Sequence, residues 1–133
     1  MAVGAFPPKD RRSSLETMLG GYEEDTIAQI TTDDNNFKTY TGWTFDVRRT
    51  KRLSVACEVS VNKLDYQVLG YVHSSGTMAE TIASGTLAVN DKMFLHINEN
   101  KYAKIVIQYK PKVAGNHGSV KGEWIAEPYA VSS

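Results

Sequence analysis

Between Lys51 and Val61 the chain reads KRLSVACEVSV, and every second residue is apolar. Leu53, Val55, Cys57, Val59 and Val61 share one face, with Ser54, Ala56, Glu58 and Ser60 on the other. Successive side chains of a strand point to opposite faces, so a period of two marks a half-buried β-strand. The rhythm recurs from Thr41 onward. GWTFDVR groups Trp43, Phe45 and Val47; LDYQVLGYVH sets Tyr66, Val68 and Val72 against Gln67, Leu69, Tyr71 and His73. KMFLHI alternates at Met93, Leu95 and Ile97, which turns His96 to solvent or to a neighbouring subunit. YAKIVIQYKP places Ala103, Ile105, Ile107 and Tyr109 inward with Lys104, Val106, Gln108 and Lys110 outward, and SVKGEWIAEP closes the series with Val120 and Trp124 on one face. TIASGTLAV is a shorter strand, interrupted at Ser84-Gly85. SSGTMAE, Asn90-Asp91, NENK and KVAGNHG supply turns between these runs. Strands separated by turn signals about every 8 to 12 residues, with no helical period between them, predict an all-β, antiparallel β-sandwich of jelly-roll-like type.

Residues 1–40 have a different texture. Pro7 and Pro8 disfavour helix in AFPPKDRRSS, while Ser13 with Glu16 three residues on is a capping-box pattern, and Gly20-Gly21 ends the short helix it predicts at Ser14 to Leu19. YEEDTIAQI fits a helical turn or a short strand equally, and TTDDNNF reads as a turn. The expected organisation is an N-terminal arm over 1–40 and a sandwich over 41–133.

Composition narrows the partners. Fifteen basic residues balance fifteen acidic ones, which lacks the basic footprint of a nucleic-acid binder. No apolar run approaches a membrane span or a signal-peptide core, so the chain is read as soluble, made in the cytoplasm and not secreted by a signal peptide. The single cysteine, Cys57, offers no internal disulfide and sits on the apolar face of its strand, where it is expected to be buried and inert.

No residue set points to catalysis, a metal or a cofactor. His73, His96 and His117 stand in separate segments without ligand spacing. Asp33-Asp34 lacks the alternating oxygen ligands and closing glutamate of a calcium loop, and Glu123 and Glu127 have no paired carboxyl across a cleft. The glycines fit bulges and turns and form no phosphate or dinucleotide loop. The densest charge feature is Arg48, Arg49, Lys51 and Arg52; as a strand it would put Arg48 and Arg52 on one face, suited to an acidic protein surface or to a solvated strand end. Aromatic residues fall mostly on inward faces, and Tyr71 and Trp124 keep a sugar-stacking platform open.

Taken together, TFDVRRTKRLSVACEVSV, DYQVLGYVHSSGTMAETIASGTL, FLHINENKYAKIVIQYKP and GSVKGEWIAEP resemble, in layout and texture, small jelly-roll proteins of tailed-bacteriophage virions, over roughly residues 41 to 128. The resemblance implies a non-enzymatic head decoration, cement or neck/fibre-base protein, commonly trimeric, that contacts other virion proteins and itself. Such a protein is made in the host cytoplasm and ends in the virion. The partner-contact residues expected on this reading are Phe6, Pro7, Pro8, Arg11, Arg12, Leu15, Met18, Leu19 and Tyr22 of the arm, with Arg48 and Arg52. Related sandwiches serve as carbohydrate-binding modules, which is the alternative.

Overall fold

The computed structural model describes residues 23–129, the side chain of Ala28 aside. They form eight strands: β1 (Glu23–Thr32), β2 (Lys38–Asp46), β3 (Thr50–Val61), β4 (Leu64–Tyr71), β5 (Ala79–Leu87), β6 (Lys92–Ile97), β7 (Lys104–Pro111) and β8 (Gly118–Pro128). Two antiparallel four-stranded sheets result. Sheet A runs β1-β8-β3-β6 and sheet B runs β2-β7-β4-β5. Outermost strands of the chain pair with each other and the pairing proceeds inward: β1 with β8, β2 with β7, β3 with β6 and β4 with β5. The chain is thus one long two-stranded ribbon folded over on itself, and the β3–β8 and β4–β7 pairings lock the folds together.

Burial follows the alternation. Leu53, Val55, Cys57 and Val59 of β3, Trp43 and Phe45 of β2, Met93 and Leu95 of β6, Ile105, Ile107 and Tyr109 of β7, and Val120 of β8 belong to a single core between the sheets. Trp43 meets the Tyr109 ring edge-on at 4.8 Å, and Phe45 meets Trp124 edge-on at 6.1 Å. Gly122 makes room for this: a Cβ there would stand 2.8 Å from the Trp43 ring and 3.0 Å from the Ala56 carbonyl oxygen.

Several expectations shift. Among the described residues the sandwich begins at Glu23 and not near Thr41, because EEDTIAQITT supplies an edge strand that pairs along β8. Its period is hidden by a bulge between Ile27 and Ile30. The stretch through Ser84-Gly85 is continuous strand, and the irregularity falls instead where Val68 and Leu69 face Ala83 and Thr81. Val61 and Val72, placed on core faces by alternation, are exposed because each stands where its strand runs out. Val106, placed outward, is buried: it stands between its cross-strand neighbours Thr44 of β2 and Leu69 of β4. The helix expected at Ser14 to Leu19 lies outside the described residues.

The loops collect at two ends. At one end the β2–β3 turn meets the β6–β7 loop through Asn100, whose Nδ2 donates to the carbonyls of Val47, Thr50 and Tyr102 at 2.9, 3.0 and 2.9 Å, while its Oδ1 accepts from the Tyr102 amide at 3.0 Å. Glu23 and Pro128 stand at this same end, since the Tyr129 amide donates to the Arg49 carbonyl and Thr50 faces Pro128. At the other end Gly115 donates to Asn35 and Lys112 to Lys63.

Candidate functional site

Two surfaces concentrate chemistry: the end of the sandwich where the described chain begins, and the outer face of sheet A.

At the first, Arg48 turns back on Asp46. Its Nε and Nη2 donate to the two carboxylate oxygens at 2.9 and 2.6 Å, a bidentate pair closed by the Arg48 amide on Oδ1. That guanidinium holds the Asp46 carboxyl below the ordinary carboxylate range. Arg52, one strand position on from Lys51, lies 3.2 Å from Glu127 of β8. The two arginines expected to share a contact face are therefore each neutralised within the chain, Arg48 in a turn and Arg52 on a strand. Glu23, Asp46, Arg48, Arg49, Thr50, Ala126 and Pro128 line a depression of about 290 Å³ here. Phe6, Pro7, Pro8, Arg11, Arg12, Leu15, Met18, Leu19 and Tyr22 lie outside the described residues, but the chain that carries them joins the fold at Glu23, beside this basic turn.

The second surface is written by register. Across sheet A, Phe94, Ala56, Glu123 and Thr26 form one outward row, and His96, Ser54, Ile125 and Glu24 form the next. Lys92, Glu58 and Lys121 form a third, in which the Glu58 carboxylate is held 3.3 Å from Lys92 and 3.5 Å from Lys121 and is correspondingly more acidic than usual, Lys92 contributing most. Ala56 is the low point. A shallow depression of about 570 Å³ opens over it between Phe94, Glu123 and Ser54. Phe94 is 62% exposed, an aromatic out of phase with the buried Met93 and Leu95, and its ring lies parallel to that of His96 at 6.4 Å. The Ser54 hydroxyl hydrogen-bonds His96 Nδ1 at 2.8 Å and fixes that ring.

A serine on an imidazole is half of a nucleophile–base arrangement, which needs a third group to orient the base. Among the described residues none is hydrogen-bonded to the other His96 nitrogen; the pair links β3 to β6 on the outer face of sheet A. Sequence reading turned His96 outward as found, yet passed over Phe94; its signal was a large aromatic on the polar phase of KMFLHI.

The remaining candidates are dispersed. His73 accepts from the Ser75 amide in the β4–β5 loop, and the His117 carbonyl accepts from Asn62 near the opposite end. Among the described residues no three His, Cys, Asp or Glu side chains come together as a metal site. Asp34 caps its own turn by accepting from the Asn36 amide. Tyr71 lies under the Lys104 ammonium, 4.4 Å from the ring centre. Cys57 is 2% exposed and its thiol is pushed up by burial. The Tyr109 hydroxyl faces it without any nitrogen or oxygen partner, and burial raises that phenol well above its ordinary value.

No protein-family description and no curated protein matches this sequence. Among solved structures, the chain is similar to a protein of the Bacillus endospore appendages, which form a family of disulfide-linked pili. The TM-score is 0.52 at 10% identity, over 85% of this chain and 91% of that one. It also aligns with a chain of infectious bursal disease virus, Gx strain, at a TM-score of 0.43 and 13% identity, over 100% of this chain but only 43% of the viral one. At 10% identity the likeness to the pilus protein is one of fold.

Proposed function

We propose that this chain is a non-enzymatic structural protein that acts through protein–protein contacts, including contacts with copies of itself, and that its sandwich is a jelly roll. The observation that carries the reading is the pairing order. A ribbon in which β1 pairs β8, β2 pairs β7, β3 pairs β6 and β4 pairs β5, rolled into two sheets, is the double Greek key found in capsid and lectin domains. Its interior is filled by Trp43, Tyr109 and aliphatic side chains, leaving the outer faces, edges and arm for partners.

Within that class we assign the chain to a tailed-bacteriophage virion, as a capsid decoration or cement protein or a neck/fibre-base protein, made in the host cytoplasm. The resemblance of residues 41–128 supports this, as does an arm with Phe6, Pro7, Pro8, Arg11 and Arg12 that joins the fold beside a basic turn. In such a virion protein the arm reaches a neighbouring subunit or the capsid. A disulfide-linked fibre like that of the pilus neighbour fits poorly: the one cysteine is buried between the sheets and offers no bridge to another subunit.

One observation favours a carbohydrate-binding module as the second reading. Phe94 stands exposed beside a depression lined by Ser54, Thr26 and Glu123, the combination of an apolar ring face and hydroxyl-binding groups that a sugar uses. Pull-down and glycan-array binding of the same purified protein separate the two. Retention on virion proteins with an empty array supports the structural reading, and specific glycan retention abolished by Phe94→Ala overturns it.

A further inference from the structure

The four sheet edges are not alike. Natural sheets blunt an exposed edge with bulges, prolines or charges that forestall pairing with another chain. β1 is bulged between Ile27 and Ile30, β2 is displaced between Thr39 and Thr44, where Gly42 takes a positive φ of 93°, and β5 is bulged opposite Val68 and Leu69. β6 alone is regular. It pairs with β3 in unbroken register from Glu58–Lys92 to Leu53–Ile97, and it contains no proline. Its one lysine, Lys92, is drawn over the sheet face to Glu58 at 3.3 Å, away from the edge.

The outward peptide groups of β6 follow from the hydrogen bonds at its start. The Val59 amide donates to the Asp91 carbonyl at 3.2 Å. Bonded pairs alternate along an antiparallel ladder, so Met93, Leu95 and Ile97 turn their peptide groups to β3 and Lys92, Phe94 and His96 turn theirs outward. Among the described residues β3 is the only strand that β6 pairs with.

We infer that β6 is the strand through which two copies of this chain join, edge to edge and antiparallel, into one continuous sheet about a two-fold axis. This inference rests on the self-association just proposed and names its surface. The occupant follows from the edges: the three other edges are bulged, so the one regular partner for β6 is β6 of the second copy. With Phe94 opposite its own copy, the outward peptide groups of Lys92, Phe94 and His96 all find partners. Met93 then meets Leu95 on the core side, and two exposed Phe94 rings cover each other on the outer face.

The test is the solution mass of the full chain and of Phe94→Pro, by sedimentation velocity over a concentration series. The Phe94 amide does not serve β3, so this proline removes an outward donor and leaves the ladder to β3 intact. The full chain is expected at twice the monomer mass and Phe94→Pro at the monomer mass, with unchanged circular dichroism. Should Phe94→Pro fail to fold, Phe94→Cys decides. Bonded antiparallel partners sit about 5.5 Å apart at Cα, within disulfide reach. Mild oxidation should therefore link Phe94→Cys into dimers while Ser84→Cys, on the bulged β5 edge, stays unlinked. A trimer, a Phe94→Pro that still self-associates, or a Phe94→Cys that links no better than Ser84→Cys overturns the β6 interface and leaves self-association standing. A full chain that stays monomeric at every concentration overturns both.

Discussion

Single residues carry disproportionate structure in this fold, and Asn100 is the plainest case. One amide side chain satisfies three carbonyls and one amide from the β2–β3 turn and its own loop. Asn100→Ala should lower stability by about 1–3 kcal/mol in urea titrations, since it strands these groups where they are partly buried. Tyr109 offers the opposite case. Among the described residues its hydroxyl has no nitrogen or oxygen partner and lies beside the Cys57 thiol, so Tyr109→Phe should change stability at neutral pH by less than about 1 kcal/mol. The sign of its pH dependence is set by the raised folded-state value. The neutral phenol is favoured by the fold, and the associated stability is intact below the ordinary value of 10.0 and is lost as pH rises above it. Tyr109→Phe should flatten that alkaline decline in thermal melts taken between neutral pH and the alkaline limit. The inward position of both Cys57 and Tyr109 was legible from alternation, because a period of two fixes the face of every residue once the strand is known. Their opposition across the sheets was not, because periodicity says nothing about which strand lies opposite.

At the scale of elements, legibility tracked regularity. β3 and β7 announced themselves, whereas β1 did not: its bulge breaks the period, and Glu23, Glu24 and Asp25 fill an exposed edge in which, among the described side chains, only Ile27 and Thr32 are well buried. Val106 shows the complementary limit, since alternation predicts exposure there and says nothing of cross-strand neighbours such as Thr44 and Leu69. Phe94 could be read as outward but not as lying beside Ala56 and Glu123, which only cross-strand register reveals. The same arrangement orders local stability. β3, held by β8 and β6, and β7, held by β2 and β4, should show the slowest amide exchange, with β5 and β1 the fastest by orders of magnitude. Exchange that is slower on β5 than on β3 would contradict the strand order. In Gly122→Ala the added methyl presses on Trp43 and on the Ala56 carbonyl, and a loss of about 1–3 kcal/mol is expected in the same urea titration.

For the whole molecule, the fold class was legible and the partner was not, because a sandwich states where surfaces are without stating what covers them. The arm and the outer faces are where the proposed role acts. Deleting residues 1–22 should leave the sandwich folded by circular dichroism, since the core from Ile27 to Val120 lies within the residues that remain, while lowering binding to virion proteins at least tenfold. The proposed role as a structural protein of a virus particle is checked by quantitative mass spectrometry of density-purified particles from cells encoding this chain. The chain is expected in a fixed, symmetry-related ratio to the major capsid or neck protein, stable through repeated banding. Its absence from banded particles, with the protein remaining in the unassembled fraction, would contradict it.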